Sequence, residues 1–260
     1  MVEPAPGLPD SPPTPGQQPQ PRWREPRRAG LVVIAAVCCL TAAIVAGTLA
    51  DASLTRPPTR AEQSAAAATA IADRWRTWPA GRIFPADLGY TTSLRTQETA
   101  SRAGISPAAR CSARIDAALG RLARRDACQA AIAATYVDEL QGVVFTIGVL
   151  AFGSTQLAAR FSRGMPASAG RPVAGIRAQA FPGTASAAFS DPARQSSTVT
   201  QHGPYVILTA SGYADGRPAA VTGERDNAVF APAAQLASEI AGPLTAPAAV
   251  DCADQARWSC

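Results

Sequence analysis

Between Arg28 and Asp51 the chain carries no charged side chain, and the stretch Gly30–Ala50, GLVVIAAVCCLTAAIVAGTLA, is apolar throughout. A helix of about 20 such residues, at ~1.5 Å rise per residue, matches a hydrocarbon core of ~30 Å. Residues 30–50 are therefore predicted to form one transmembrane helix. Ala contributes little to insertion, so Leu31, Val32, Val33, Ile34, Val37, Leu40, Ile44, Val45 and Leu49 supply most of the driving force. Everything else in the chain is divided by this stretch into a short arm before it and a long remainder after it.

The flanks orient the span. Arg22, Arg24, Arg27 and Arg28 stand before it against Glu25, whereas Asp51 opens the other side and Arg56 and Arg60 come only later. The positive-inside bias puts the N-terminus in the cytoplasm and the long remainder outside it, at the cell membrane. A cleaved secretory signal has an apolar core of only ~7–15 residues followed by small residues. Ala50 and Ala52 suit such a cut, but the longer core here favours a retained signal-anchor. Arg27 and Arg28 are read as charge anchoring at the inner leaflet rather than as a twin-arginine signal. Cys38 and Cys39 lack the Leu-like residue that a lipobox needs, since Ala35 and Ala36 stand there, and are read as small apolar residues.

Residues 1–29 are expected to be a disordered, Pro-rich, basic cytoplasmic arm, because PAPGLPDSPPTPGQQPQP offers almost no large apolar side chain to offset the entropy of ordering. Arg22–Arg28 hold four of the positive charges and one negative, and the folded part reads as only mildly basic, which gives no support for a nucleic-acid partner. The partners expected are the lipid bilayer itself and an envelope protein. Residues 51–60 read as a Pro-containing stalk, in which RPPTR at Arg56–Arg60 stops the helix. Residues 61–260 are long enough for one extracytoplasmic domain.

Cys111, Cys128, Cys252 and Cys260 lie beyond the span, and an even number of cysteines on the oxidising side of a membrane reads as disulfides. Three connectivities are open. Pairing Cys111 with Cys128 and Cys252 with Cys260 gives the shortest loops. It requires the segment between the first pair to break, at Gly120 or after Arg125, because an unbroken helix would hold them ~25 Å apart and a bridge needs Cα atoms ~4.4–6.8 Å apart. Without such a break, long-range pairing of the tail to the core wins.

Periodicity sketches the domain. Ala61–Trp78 reads as a helix whose Ile71, Trp75 and Trp78 form one apolar stripe, ended by Pro79, and Gly81–Leu94 as an irregular connection with one short extended piece. Ser106-Pro107 is a helix-start signal, with Ile115, Leu119 and Leu122 on the apolar face of the helix that follows. Arg121, Arg124 and Arg125 lie off that face, as a solvated surface or a grip for an anion, and with Trp75 and Trp78 they are the candidate surface or ligand contacts. AAIAATYV and VVFTIGVLAF around DELQG read as two strands of a hairpin, the second apolar on both faces and so central in a covered sheet. Ser154–Phe161 is a short helix and Gly164–Pro172 a loop. Ile176–Phe181, Thr184–Ser190 and Tyr205–Ser211 are candidate strands, with a turn at Gly212–Arg217. Asn227 caps a last helix containing Leu236 and Ile240 that Pro243 closes. The fold class predicted is α+β, a mostly antiparallel sheet flanked by helices and preceded by one transmembrane helix.

Several chemistries are excluded. With no Lys there is neither a Schiff-base amine nor a Walker phosphate loop, and with His202 as the one histidine there is no HExxH or multi-histidine zinc site. There is no GxSxG elbow and no GxGxxG, and His202, in QHGPY, reads as an exposed turn residue before a strand; Asp138, Glu139 and Asp215 fall in predicted turns, where solvated acids sit. No catalytic residue, cofactor or metal is assigned. The phrases RWRTWPAGRIFP, CQAAIAATYVDELQGVVFTIGV and PYVILTASGYADGR, in a chain with all its basic residues Arg, resemble uncharacterised single-pass envelope proteins of actinobacterial type, a resemblance that implies no activity. In layout alone the chain is similar to single-span components of bacterial secretion or conjugation machines and to extracytoplasmic sensor domains. The expectation is a membrane-anchored, non-enzymatic binding or envelope-complex domain. The alternative is an extracytoplasmic hydrolase or sensor domain acting on cell-envelope ligands.

Overall fold

The computed structural model describes residues 25–55, 57–166, 174–219, 228–252 and 254. Most of the predicted arm, the greater part of the predicted Gly164–Pro172 loop, the Asn227 cap and Cys260 lie outside the described residues. The chain divides into two units, Met1–Pro57 and Pro58–Cys260.

In the first unit a single helix, α1 (Glu25–Thr55), contains the apolar window Gly30–Leu49 with a mean hydropathy of 2.5. The Leu, Val and Ile side chains of that window are all exposed, and the window is long and apolar enough to cross a membrane. Thr41 and Thr48 turn their hydroxyls back to the carbonyls of Cys38 and Val45, so neither presents an unpaired donor there. The helix continues through Thr55, and the following proline pair ends it.

The second unit opens with α2 (Arg60–Ala72). Its start is fixed by a capping box: the Thr59 hydroxyl accepts from the Glu62 N–H, and the Glu62 carboxylate accepts from the Thr59 N–H at 2.7 Å. The predicted single helix to Trp78 is interrupted at Asp73, after which α3 (Arg74–Thr77) and α4 (Ala80–Ile83) follow as single turns. Strands β1 (Asp87–Thr91), β2 (Gln97–Ala109), β3 (Cys128–Val137), β4 (Val143–Phe152), β5 (Ser196–His202) and β6 (Tyr205–Tyr213) build one antiparallel sheet in the order β1-β2-β3-β4-β6-β5. Between them lie α5 (Cys111–Arg114), α6 (Gly120–Arg125) and α7 (Thr155–Arg163), and α8 (Pro232–Thr245) comes last.

The sheet is covered on both faces. On one side Ile132, Ala134 and Tyr136 of β3, Phe145, Ile147 and Val149 of β4, and Tyr205 and Ile207 of β6 pack against Leu236, Ile240 and Leu244 of α8. Helix α8 touches both edge strands, β1 and β5, so the sheet curls around it. On the other side Ala131, Ala133, Leu150, Phe152, Val206 and Leu208 meet Leu119, Ala123, Phe161 and Ile176. Every residue of β4 after Val143 is buried, as its two-faced apolar pattern predicts.

Five further expectations are corrected by the structure. Ser106 and Pro107 do not start a helix; they lie in β2, where the register to β3 slips between Ser106 and Ala109 and the bulge accommodates a proline that has no N–H to give to the ladder. Ile176–Phe181 and Thr184–Ser190 are not strands. The first crosses the sheet face with its backbone satisfied by side chains: Gln179 N–H donates to Thr146 Oγ1 at 3.2 Å, Thr135 Oγ1 donates to the Gln179 carbonyl at 2.7 Å, and Ala178 N–H donates to Asp191 Oδ1 at 2.8 Å. The second is a run of turns. The strand pairing with β6 is instead Ser196–His202, so His202 is a half-buried strand end, joined to Tyr205 through Gly203 at φ 52°. Pro243 lies inside α8, in its final turn, rather than closing it.

Cys111 and Cys128 are bonded, with their Cα atoms 6.3 Å apart, and the segment between them breaks into α5, a 3-10 turn at Ala117–Leu119, and α6. A bridge between Ile115 and Ile176 lies at the first break. Cys252 is also disulfide-bonded, while Cys38 and Cys39 are free. Replacing Cys111 and Cys128 together by Ser is expected to lower stability by about 3 kcal/mol, the loop-closure contribution for a sequence separation of 17, read from the urea midpoint of the full chain in nanodiscs. Gly212→Ala is expected to lower it by about 1–3 kcal/mol in the same assay, because an added Cβ collides with the Ala193 carbonyl oxygen and the backbone itself has to move.

Candidate functional site

Side chains of α2, α3, α4 and the tail after α8 converge on one cleft. Its position follows from how α3 is tied down. The hydroxyl of Tyr205, buried on β6, donates to the Ile71 carbonyl at 2.6 Å and accepts from the Trp75 N–H at 3.3 Å, gripping the backbone on either side of the interruption at Asp73. Burial pushes the Tyr205 phenol up to about 12, against a smaller opposing pull from the Trp75 N–H. Beside it Arg74 is buried, and its Nη1 donates to three carbonyl oxygens at the end of α8: Pro243 and Leu244 at 3.0 Å and Ala246 at 2.6 Å. These carbonyls have no intrahelical N–H to accept from, and a cation at a helix C-terminus also meets the negative end of its dipole. Burial pulls the Arg74 guanidinium below its ordinary pKa, with the nearby Arg82 acting in the same direction.

Trp78 completes the arrangement. The Cζ of Arg74 lies 4.9 Å, and that of Arg82 3.8 Å, from the centroid of its ring, so two guanidinium groups share one indole. The cleft beside them has a volume of about 550 Å³ and is walled by Ala66, Thr69, Ala70, Thr77 and the backbone run Pro247–Ala249, with Asp73 at its border. Asp73 is engaged by Arg76 Nη2 at 2.5 Å. Arg82 makes no ion pair and no side-chain hydrogen bond with any described residue.

Of the sequence candidates, Trp75 and Trp78 both pack against the α8 side of the sheet, but their roles differ. Trp75 fills the core edge, whereas Trp78 lines the cleft. Arg121, Arg124 and Arg125 are exposed on α6, whose Leu122 and Ala123 belong to the opposite face of the sheet, so they are not brought together with the tryptophans. Arg125 is bound to its neighbour, its Nε and Nη2 reaching the fully buried carboxylate of Asp126 at 3.1 and 3.0 Å. Arg74 and Arg82 were not among the candidates. The sign of them in the sequence is the spacing of four residues from Arg74 to Trp78 and again from Trp78 to Arg82.

A second cleft of about 600 Å³ lies between the bulged part of β2 and Gly183–Ala185. Its polar groups are partly committed: Arg102 Nη1 is donated to the Phe84 carbonyl, and Asp138 Oδ1 accepts the Val143 N–H. Among the described residues no group of three or more His, Cys, Asp or Glu is arranged to hold a metal ion. Comparison of the chain with protein families, with curated proteins and with solved structures finds no match.

The tyrosines set an alkaline limit. Tyr205 and Tyr136 are raised chiefly by burial, and Tyr90 by burial and by its 2.6 Å bond to Glu98. A phenol with a raised pKa in the folded state holds its proton more tightly there than in the unfolded chain. Its contribution is therefore complete below the ordinary value near 10 and is lost as pH rises from there toward about 12. Stability measured by denaturation is expected to fall over that window, with tyrosinate absorbance of the folded protein lagging that of the denatured chain.

Proposed function

We propose that the protein is a single-pass, membrane-anchored binding domain of the cell envelope, with residues 58–260 outside the cytoplasm and no catalytic role. The observation that carries the reading is the joint presence of one fully exposed apolar helix and a disulfide-bonded second unit. Disulfides persist in oxidising compartments, and the arginines before the span favour a cytoplasmic N-terminus. The Trp78 cleft is the contact surface in this reading: a concave site with one aromatic wall and an uncommitted cation, of a size that suits a small molecule or a partner's side chain.

The span and the disulfide speak to the compartment and leave the activity to the site. Binding is favoured over hydrolysis because the groups gathered in the cleft are arginines held by carbonyls and by an indole. Such groups attract and position a ligand, whereas hydrolysis needs a nucleophile or a general base within hydrogen-bond reach of it.

Two fusions test the topology. A periplasm-dependent reporter enzyme joined after Cys260 is expected to be active and the same reporter joined before Arg22 silent, with Cys111 and Cys128 unreactive to a maleimide until reduced. Activity of the N-terminal fusion, or free thiols at both positions in the native protein, refutes the orientation.

A further inference from the structure

We propose that the Trp78 cleft binds a small amphiphile through its carboxylate, with Arg82 as the anion-binding group and the indole and alanine wall receiving the apolar body. The proposal rests on the binding-domain reading above and names the ligand class of that site.

The charge arrangement carries it. Arg74 is 8% exposed and has carbonyl oxygens but no carboxylate against it. Arg82 brings a second positive charge onto the same ring, at 3.8 Å. The buried guanidinium of Arg74 and the exposed one of Arg82 repel each other across one indole, and a single anion relieves both. Among the described residues the one carboxylate at the border, that of Asp73, is neutralised by Arg76 at 2.5 Å. Within those residues the cleft is therefore left with an unmatched positive charge.

The free donors set how an anion is held. Arg74 Nη1 is spent on three carbonyls, whereas Arg82 makes no side-chain hydrogen bond with any described residue. One free planar guanidinium matches a carboxylate in a paired, two-bond geometry. Phosphate fits the same fork, so it is the apolar wall that disfavours inorganic phosphate, which has no hydrocarbon to place there. The wall selects the rest of the ligand: Ala66, Ala70, Ala248 and Ala249 offer methyl groups and Trp78 an aromatic face. A volume of about 550 Å³ accepts a short chain or a ring beyond the carboxylate.

The test is calorimetric titration of the full chain in phosphatidylcholine nanodiscs, against protein-free nanodiscs, with hexanoate, 1-hexanol and inorganic phosphate as probes. Hexanoate is expected to bind about tenfold or more tightly than 1-hexanol, as a charge-assisted pair requires, with no heat from phosphate. Arg82→Gln is expected to remove that tenfold advantage while 1-hexanol still binds, with any shift of the thermal midpoint limited to the lost stacking on Trp78. Equal affinity for hexanoate and 1-hexanol, phosphate binding as strong as hexanoate, or no effect of Arg82→Gln overturns the proposal. The parent reading is checked separately with a photo-crosslinking residue at Thr77, which is exposed in the cleft. Failure of hexanoate with specific crosslinking of an envelope component refutes the carboxylate alone, and failure of both refutes the binding site.

Discussion

Strand β4 is the element to which the rest of the domain answers. Nine successive residues, Val144–Phe152, are buried, so neither face of the strand can be left to water. Burying one such aliphatic side chain is worth about 1.5–3 kcal/mol, and a sheet open on one side would forfeit half of that gain along its central strand. Both faces are accordingly covered, by α8 and the α2–α4 region on one and by α5–α7 with the crossing segment around Ile176 on the other. The crossing segment shows what close coverage demands of the backbone. With no neighbouring strand to pair with, its amides and carbonyls are met by Thr135, Thr146 and Asp191. Gly148 provides the space into which Ile176 fits.

The same demand produces the candidate site. Helix α8 lies in the curl of the sheet, and its C-terminal carbonyls would be buried without partners unless another part of the chain supplied donors. Arg74 does so from the opposite end of the domain sequence, while Tyr205 fixes the turn of backbone that carries it. A structural charge is thereby buried beside Trp78, and Arg82 adds a second charge that folding does not consume. The positive charge gathered at the cleft is thus a by-product of closing the core.

The cysteine pair acts on the other face. Its bond draws α5 against the start of β3 and holds three short helical pieces that are too brief to be stable alone. Such dependence on an oxidising environment agrees with the anchored, extracytoplasmic reading, in which the span and the disulfide are two consequences of one location.

Local pattern along the chain was enough to place one set of features. These are the apolar helix around Gly30–Leu49, the β3–β4 hairpin with Asp138 and Glu139 at its turn, the covered central strand, and the short helix expected over Ser154–Phe161. In each of them the residue type and its spacing set the outcome within a few positions. Long-range packing settled whether Ser106-Pro107 starts a helix or sits in a bulge, whether Ile176–Phe181 pairs or crosses, and which arginines meet a tryptophan. The spacing of Arg74, Trp78 and Arg82 was visible, but their meaning depended on Pro243, Leu244 and Ala246, some 170 positions away. Local propensity differs by only a fraction of a kcal/mol per residue between the competing states, whereas a buried carbonyl or strand edge left without a partner costs more than that. Long-range satisfaction therefore overrules the local preference wherever the two disagree.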